Sequence, residues 1–479
     1  MNRYKQLLSN TAVFTAGKFI SKMLVFFMVR FYTAYLTTAE YSTADLITNM
    51  ANLLIPLACL GIGEGVFRKA ASGSENREQF FTNGIMILMV GSAGFLVLSP
   101  LLGLVSFFEG YVWLLILYVV VSNIHTVCSQ YLCACGEVRL FAFQGILNTA
   151  LTIGLNILFL PVFDMGVTGY VLSIILADGL VALFLVLYGR LWRAFKTCLI
   201  SWPVMKQMLS FCLPLIPTTV FWWVTSVSDR YLVASLCSSD MNGLYAAAYK
   251  VPNLLVYAVS IFDSAFKLSV APEQEGSTRT SFFTRVWRNY ITITFIGGMI
   301  LILCCKPIAG VLFAEGYQAA WVYIPLLSAA TIFTALDTFL GSVYYTCQRT
   351  MYSLWTALVG AVLNIVLNVL LIPPYGAMGA AVATFVSYYG VFFVRLYTIR
   401  RMIPFRQERL RCVINTAWLL ALTVSVSMTD GYYTGFWWFF AGLSAAGLVC
   451  CNLSDMMRLF RLGINMVRPR RAETGEDME

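Results

Sequence analysis

The chain has 479 residues, is 59% hydrophobic and only 11% charged, and carries a formal net charge of +9. Soluble domains run nearer to 25% charged, so this composition, with a mean hydropathy of +0.77, excludes a globular domain with one anchor. It reads as an all-α polytopic membrane protein.

Taking ~20 apolar residues per span, helices are expected near 11–36, 42–67, 81–105, 111–133, 141–162, 167–189 and 208–236. They continue near 243–270, 289–312, 320–345, 353–372, 377–399, 411–428 and 433–453, about 14 spans in all. The first is expected to be retained rather than cleaved. Arg3 and Lys5 suit a leader, but the apolar run carries Lys18, Lys22 and Arg30 and lacks a clear small-residue cleavage site.

Loop cations orient the spans. Arg68, Lys69 and Arg77, then Arg139, then Arg190 to Lys206, then Lys267 to Arg288, then Arg349, then Arg395 to Arg411 fall in alternate turnarounds. The opposite loops hold Lys306 and otherwise acids such as Glu40, Glu109, Asp164, Asp240, Glu315 and Asp430. This asymmetry predicts cytoplasmic N- and C-termini in a cytoplasmic membrane. It accounts for the net charge, so no nucleic-acid partner is implied.

The sequence repeats itself. Arg30-Phe31-Tyr32 through Leu36 and Glu40 matches Arg230-Tyr231-Leu232 through Leu236 and Asp240, 200 residues later. Asn156, Pro161, Gly166 and Gly169 match Asn368, Pro373, Gly376 and Gly379, and Arg190 matches Arg400. Six spans per repeat give both halves the same orientation, a transporter plan with the substrate site between the halves. The expected organisation is a six-helix bundle over 1–190, a cytoplasmic linker over 191–207 and a second six-helix bundle over 208–400. Two extra transmembrane helices over 401–454 and a cytoplasmic tail over 455–479 complete it. Pro56, Gly61 and Gly63, Pro214 and Pro217, and Pro252 mark spans that can bend.

Apart from the loop cations, Lys18, Lys22, Arg30, Arg230 and Lys250 lie inside spans. A cation at the centre of the hydrocarbon costs roughly 2.5–3.5 kcal/mol on insertion scales, so such residues face a bundle interior or a wet cavity. Together they point to an anionic ligand. Snorkelling to the headgroups is the alternative for Lys18 and Arg30. Pairing with Asp45 or Asp229 is the alternative for the others. Asp178 and Asp337 have no evident partner in the sequence and are candidates for a coupling ion, Na⁺ or H⁺. His125 reads as a helix–helix hydrogen-bonding residue. Asn49, Asn52, Asn148, Asn156, Asn364 and Asn368 read as polar contacts between helices. The 13 cysteines fall mostly in spans and read as small apolar residues. With a single histidine and no phosphate-binding loop or nucleophile elbow, neither a metal, a cofactor nor an enzymatic activity is expected.

Several motifs resemble one family. Glu40-Tyr41-Ser42, Leu60-Gly61-Ile62 and Val66-Phe67-Arg68 are similar to the opening of the polysaccharide flippases (O-antigen or teichoic-acid type). These belong to the multidrug/oligosaccharidyl-lipid/polysaccharide exporter superfamily. Asp229-Arg230-Tyr231, Gly243-Leu244-Tyr245, Tyr249-Lys250-Val251-Pro252 and the run from Asn364 through Asn368, Pro373, Gly376 and Gly379 to Thr384 resemble them too. Ser42 departs from the glycine common after that tyrosine. The resemblance implies two six-helix bundles around a central cavity. It implies alternating access that carries an undecaprenyl-diphosphate-linked oligosaccharide between leaflets of a bacterial membrane, alongside a polysaccharide polymerase and glycosyltransferases. The five cations are then expected to bind the diphosphate, and the last two spans to hold the lipid tail. A lipid II-type flippase of wall or spore-cortex synthesis is the nearest alternative. A cation-coupled multidrug exporter is another, which the cationic set disfavours.

Overall fold

The computed structural model describes residues 22–72, 76–260, 277–347, 349–429 and 433–467. These residues form helices and connecting turns, with no strand among them. Helix α1 covers residues 22–35. It is followed by α2 (Thr38–Ala58), α3 (Ile62–Ala71), α4 (Arg77–Leu98), α5 (Val112–Ala134), α6 (Val138–Phe159) and α7 (Gly166–Tyr188). Then come α8 (Trp202–Cys212), α9 (Ile216–Leu236), α10 (Ser239–Ala248) and α11, described over 253–260. The remainder is α12 (Ser277–Leu303), α13 (Cys305–Leu312), α14 (Ile324–Thr346), α15 (Thr350–Ile399), α16 (Arg409–Ser427) and α17 (Thr434–Val467).

Local sequence explains the boundaries. Thr37 and Glu40 form a capping box at the start of α2: the Glu40 N–H donates to Thr37 Oγ1 at 3.3 Å, and the Thr37 N–H donates to Glu40 Oε2 at 2.9 Å. The expected bend in the second span is real. Leu60 (φ 55°) and Gly61 (φ 66°) interrupt it, and α2 and α3 diverge by 56°. Pro214 and Pro217 sit where α8 passes into α9, at helix starts that need no proline N–H. Pro252 falls in the break between α10 and α11.

Ten described helices are long and apolar enough to cross a membrane, or eleven if the bent α2–α3 pair is one span. One of them, α15, is 50 residues long and contains Gly376 at φ 58°, ψ −144°. A straight helix of that length would reach about 75 Å, more than twice a hydrocarbon core. Instead the chain doubles back: Arg395 Nε donates to Thr356 Oγ1 at 3.2 Å, 39 residues away. The two spans expected at 353–372 and 377–399 are thus the two arms of α15, hinged at Gly376. The described residues do not fix the total of about 14 spans, since α1 and α11 both run into undescribed residues.

The repeat is visible in the elements. Helix α5 and helix α14 start at Val112 and Ile324, end at Ala134 and Thr346, and each has 23 residues. One apolar cluster gathers Val66, Phe81, Val127, Tyr131 and Leu185 of the first half with Met208 and Cys212 of α8, so the first residues of the span expected at 208–236 pack on the first half. A second gathers Ala44, Ile47, Leu114, Val119, Val171 and Ile175. In the second half a single large cluster runs through α12, α14, α15 and α16, and takes in Val29, Tyr32, Leu36 and Tyr41 from α1 and α2. Large apolar side chains such as Val97, Val162, Leu187, Val311 and Leu370 remain exposed, as a lipid-facing surface requires.

Candidate functional site

The two halves meet mainly where α2 packs on α9 and α10. At the centre of this seam is Asp45 of α2, nearly fully buried. Arg230 Nη1 donates to its Oδ2 at 2.7 Å, and Lys250 Nζ lies 3.3 Å from its Oδ1. Asn49, one turn along α2, donates its Nδ2 to Oδ2 at 2.9 Å. One carboxylate of the first half therefore serves two cations of the second. The Arg230 guanidinium lies 4.5 Å from the centre of the Tyr249 ring, and its Nε is buried without a hydrogen-bond partner.

Asp229 faces the other way, into the second half. Its Oδ2 accepts from the hydroxyls of Tyr245 (2.8 Å), Tyr249 (3.0 Å) and Thr384 (3.2 Å). Three donors from α10 and from the C-terminal arm of α15 satisfy a fully buried carboxylate, the condition for keeping such a charge in a dry interior.

Around this cluster the same end of the seam is laced shut. Asn242 Nδ2 donates to Ser42 Oγ at 2.8 Å, Thr38 Oγ1 donates to Asp240, and Tyr231 donates to the Leu46 carbonyl at 2.6 Å. Trp223 Nε1 donates to the Asn49 carbonyl at 2.8 Å. Ser42 and Asn242 are repeat counterparts 200 residues apart. Counterparts that touch lie on the axis relating the halves.

The structure does not treat Arg30 and Arg230 alike. The Arg30 guanidinium is exposed and donates to the carbonyls of Phe313 and, at 3.4 Å, Gly310, at the C-terminal end of α13. The reason is in the repeat: the counterpart of Asp45 is Tyr245, so Arg30 has no equivalent carboxylate and settles on the negative end of a helix dipole. Lys22 is exposed on α1, with its Nζ 5.6 Å from the centre of the Tyr257 ring. Lys18 lies outside the described residues.

Asp178 acquires partners that the linear sequence hid. His125 Nδ1 lies 3.2 Å from its Oδ1, Asn148 donates to Oδ1 at 2.7 Å, and Ser122 donates to Oδ2. His125 Nε2 meets Gln144 Oε1 at 2.7 Å, a contact between α5 and α6. This polar layer sits between the two apolar clusters of the first half. Asp337 remains without a hydrogen bond to either carboxylate oxygen among the described residues, although it is fully buried.

Arg395 corrects the assignment of that arginine to a loop. Only 1% exposed, it donates to the Asp337 carbonyl and to Thr356, with its guanidinium 5.0 Å from the Trp222 ring centre. Its position inside the span expected at 377–399 was the available signal. Asp455, expected at the start of the tail over 455–479, lies inside α17. It is buried and takes Arg411 at 2.6 Å, Arg288 at 3.0 Å and Arg458 at 3.4 Å, tying α17 to α12 and α16.

Residues 7–266 match a family described as polysaccharide biosynthesis protein. An uncharacterized membrane protein of Methanocaldococcus jannaschii is 22% identical over 200 residues, covering 41% of this chain and 46% of that protein. The match thus spans less than half of this relative's length. The fold is similar to an inward-facing multidrug resistance MATE family transporter (TM-score 0.63, 13% identity, 80% of this chain and 95% of that one). It is also similar to a superfamily transporter of Pyrococcus furiosus described by a binding pocket of reverse polarity (TM-score 0.59, 13% identity, 81% and 95%). With more than half of its length matched, the chain belongs to the polysaccharide biosynthesis protein family, and its helical fold is the one seen in those transporters.

Proposed function

We propose that this protein is a flippase, moving an undecaprenyl-diphosphate-linked oligosaccharide from the inner to the outer leaflet of a bacterial cytoplasmic membrane by alternating access. In this reading the two moving bodies are 1–190 and 208–400. The observation that carries it is the shared carboxylate: Arg230 and Lys250 from one half both rest on Asp45 from the other. A diphosphate brings at least two negative charges on several acceptor oxygens and competes with Asp45 for both cations. Binding it releases the tie between α2 and the α9–α10 pair. The charge of the cargo thereby lowers the cost of opening the sealed end, which is the differential interaction that a conformational change requires. Arg30 and Lys22 extend the cationic path along α1, and Lys18, outside the described residues, is the fifth proposed cation. Asp178 and Asp337 are the proposed groups for a coupling proton or Na⁺. A polymerase and glycosyltransferases are the proposed partners, and the helices of 401–454 the proposed support for the lipid tail.

The test is polymer export in cells deleted for the native gene. Arg230→Gln with Lys250→Gln is expected to abolish export at unchanged protein level, and Lys250→Arg to retain it. Full export by a variant lacking both Arg30 and Arg230 overturns the diphosphate site. A lipid II cargo carries the same diphosphate. It is recognised by rescue of wall synthesis in place of surface polymer.

A further inference from the structure

The face that carries the arginine-rich turns has a cavity of about 610 Å³ where α15 hands over to α16. Arg400, Arg406, Arg409 and Arg411 line it, with Leu410 and Ile414 on its apolar side. Its single carboxylate, Glu408, is already paired with Arg406 at 2.9 Å. Arg409 is braced rather than neutralised: its Nε and Nη2 donate to Gln407 Oε1 at 2.8 and 2.6 Å. The Arg400 side chain is exposed and makes no hydrogen bond or ion pair among the described residues; its backbone N–H donates to the Thr398 carbonyl. Arg411 is anchored from behind by Asp455 and keeps a buried Nε without a partner.

The backbone adds to this. Glu408, at φ 50° and ψ 39°, is the N-cap of the 19-residue α16, and its side chain does not cap the helix. The N–H groups of the first turn have no intrahelical acceptor and carry the positive end of the dipole. Leu410 is 74% and Ile414 39% exposed, and a spacing of four places them on one helix face. Membrane topology asks for arginines in this turn. It does not ask for a cavity, an uncapped helix start and an adjoining apolar strip.

We propose that this cavity binds the phosphate of a membrane lipid headgroup, the arginines and the start of α16 taking the phosphate oxygens and Leu410 and Ile414 the first part of the chain. The site is separate from the seam at Asp45, and each can fail without the other.

The experiment is native mass spectrometry of the full chain in detergent. Phosphatidylglycerol, phosphatidylcholine and inorganic pyrophosphate are added separately. The wild type is expected to retain phosphatidylglycerol over phosphatidylcholine, and Arg400→Gln with Arg409→Gln to weaken that binding at least tenfold. Arg190→Gln with Arg193→Gln, in another turn of the same face, is expected to leave it unchanged. If the double variant fails to fold, the single charge reversal Arg400→Glu at an exposed position gives the same reading. Unchanged phosphatidylglycerol binding by the folded variants overturns the proposal. So does equal retention of phosphatidylcholine. Pyrophosphate binding without lipid retention overturns it in favour of a free-phosphate site.

Discussion

Asp45 carries the largest electrostatic burden of any residue at the seam, because it is nearly fully buried and is the carboxylate to which both Arg230 and Lys250 turn. Removing one partner of a buried charge set costs about 3–5 kcal/mol, since the remaining charges stay desolvated. Asp45→Asn keeps the shape and the bond to Asn49 but strands two cations, so its thermal unfolding transition in detergent is expected to fall by that equivalent. Asp45→Leu combined with Arg230→Met and Lys250→Met removes the three charges together and is expected to recover most of the loss, without recovering export. Full stability in Asp45→Asn alone would show that the cations find other partners. Only part of this cluster was legible in the sequence. Asp229 and Asp45 were evident as candidates beside the intramembrane cations. That the two aspartates divide their work, one across the seam and one within the second half, depends on opposite directions along neighbouring helix faces, which residue spacing alone does not decide. Arg395 was misassigned for a related reason. A cation near a span's end reaches water or turns inward with the same hydropathy, and Thr356 and the Asp337 carbonyl, which hold it inward, lie 39 and 58 residues away.

At the scale of elements, close approach and charge clamps fix how the helices pack. A Cβ added to Gly243 would stand 2.0 Å from the Thr38 carbonyl oxygen, which is backbone and cannot rotate aside. Gly243→Ala is therefore expected to push α10 off the start of α2 and cost about 1–3 kcal/mol, as overpacking does. A lowered thermal transition with unchanged expression checks it. The docking of α17 rests on Asp455, which gathers arginines from α12, α16 and its own next turn. Asp455→Asn leaves Arg288 and Arg411 without their carboxylate, and faster tryptic cleavage after Arg411 at the start of α16 and after Arg458 within α17 is the expected readout. Helix existence and the bend after Pro56 were readable from apolar runs and from Pro56, Gly61 and Gly63. The doubling back of α15 was readable as two spans, because only a reversal lets so long an apolar stretch remain in one membrane. The α16–α17 clamp was not readable, since Asp455 sits among residues that look like the start of a polar tail.

At the scale of the whole molecule, apart from residues 208–212, which pack on α3 with Phe211 under the Arg68 guanidinium, the hydrogen bonds and ion pairs between halves gather at one end, around 30–49 from the first repeat and around 223–250 and 310–317 from the second. The Ala314 N–H donates to Thr33 Oγ1 at 3.0 Å and the Tyr317 hydroxyl to the Leu36 carbonyl at 2.9 Å, adding α1 to the closure. Alternating access by two rigid halves demands that this set break as a unit while the cores of each half stay intact. Ser42 and Asn242 offer the most direct handle, because they touch at 2.8 Å and sit on the pseudo-axis. In a variant with the native cysteines replaced, Ser42→Cys with Asn242→Cys is expected to crosslink under oxidation and to stop export, and reduction is expected to restore it. Either single cysteine should leave export intact under both conditions. If the crosslinked protein exports at the wild-type rate, opening at this end is not a step of the cycle, and the exchange of Arg230 and Lys250 from Asp45 to the cargo loses its mechanical consequence.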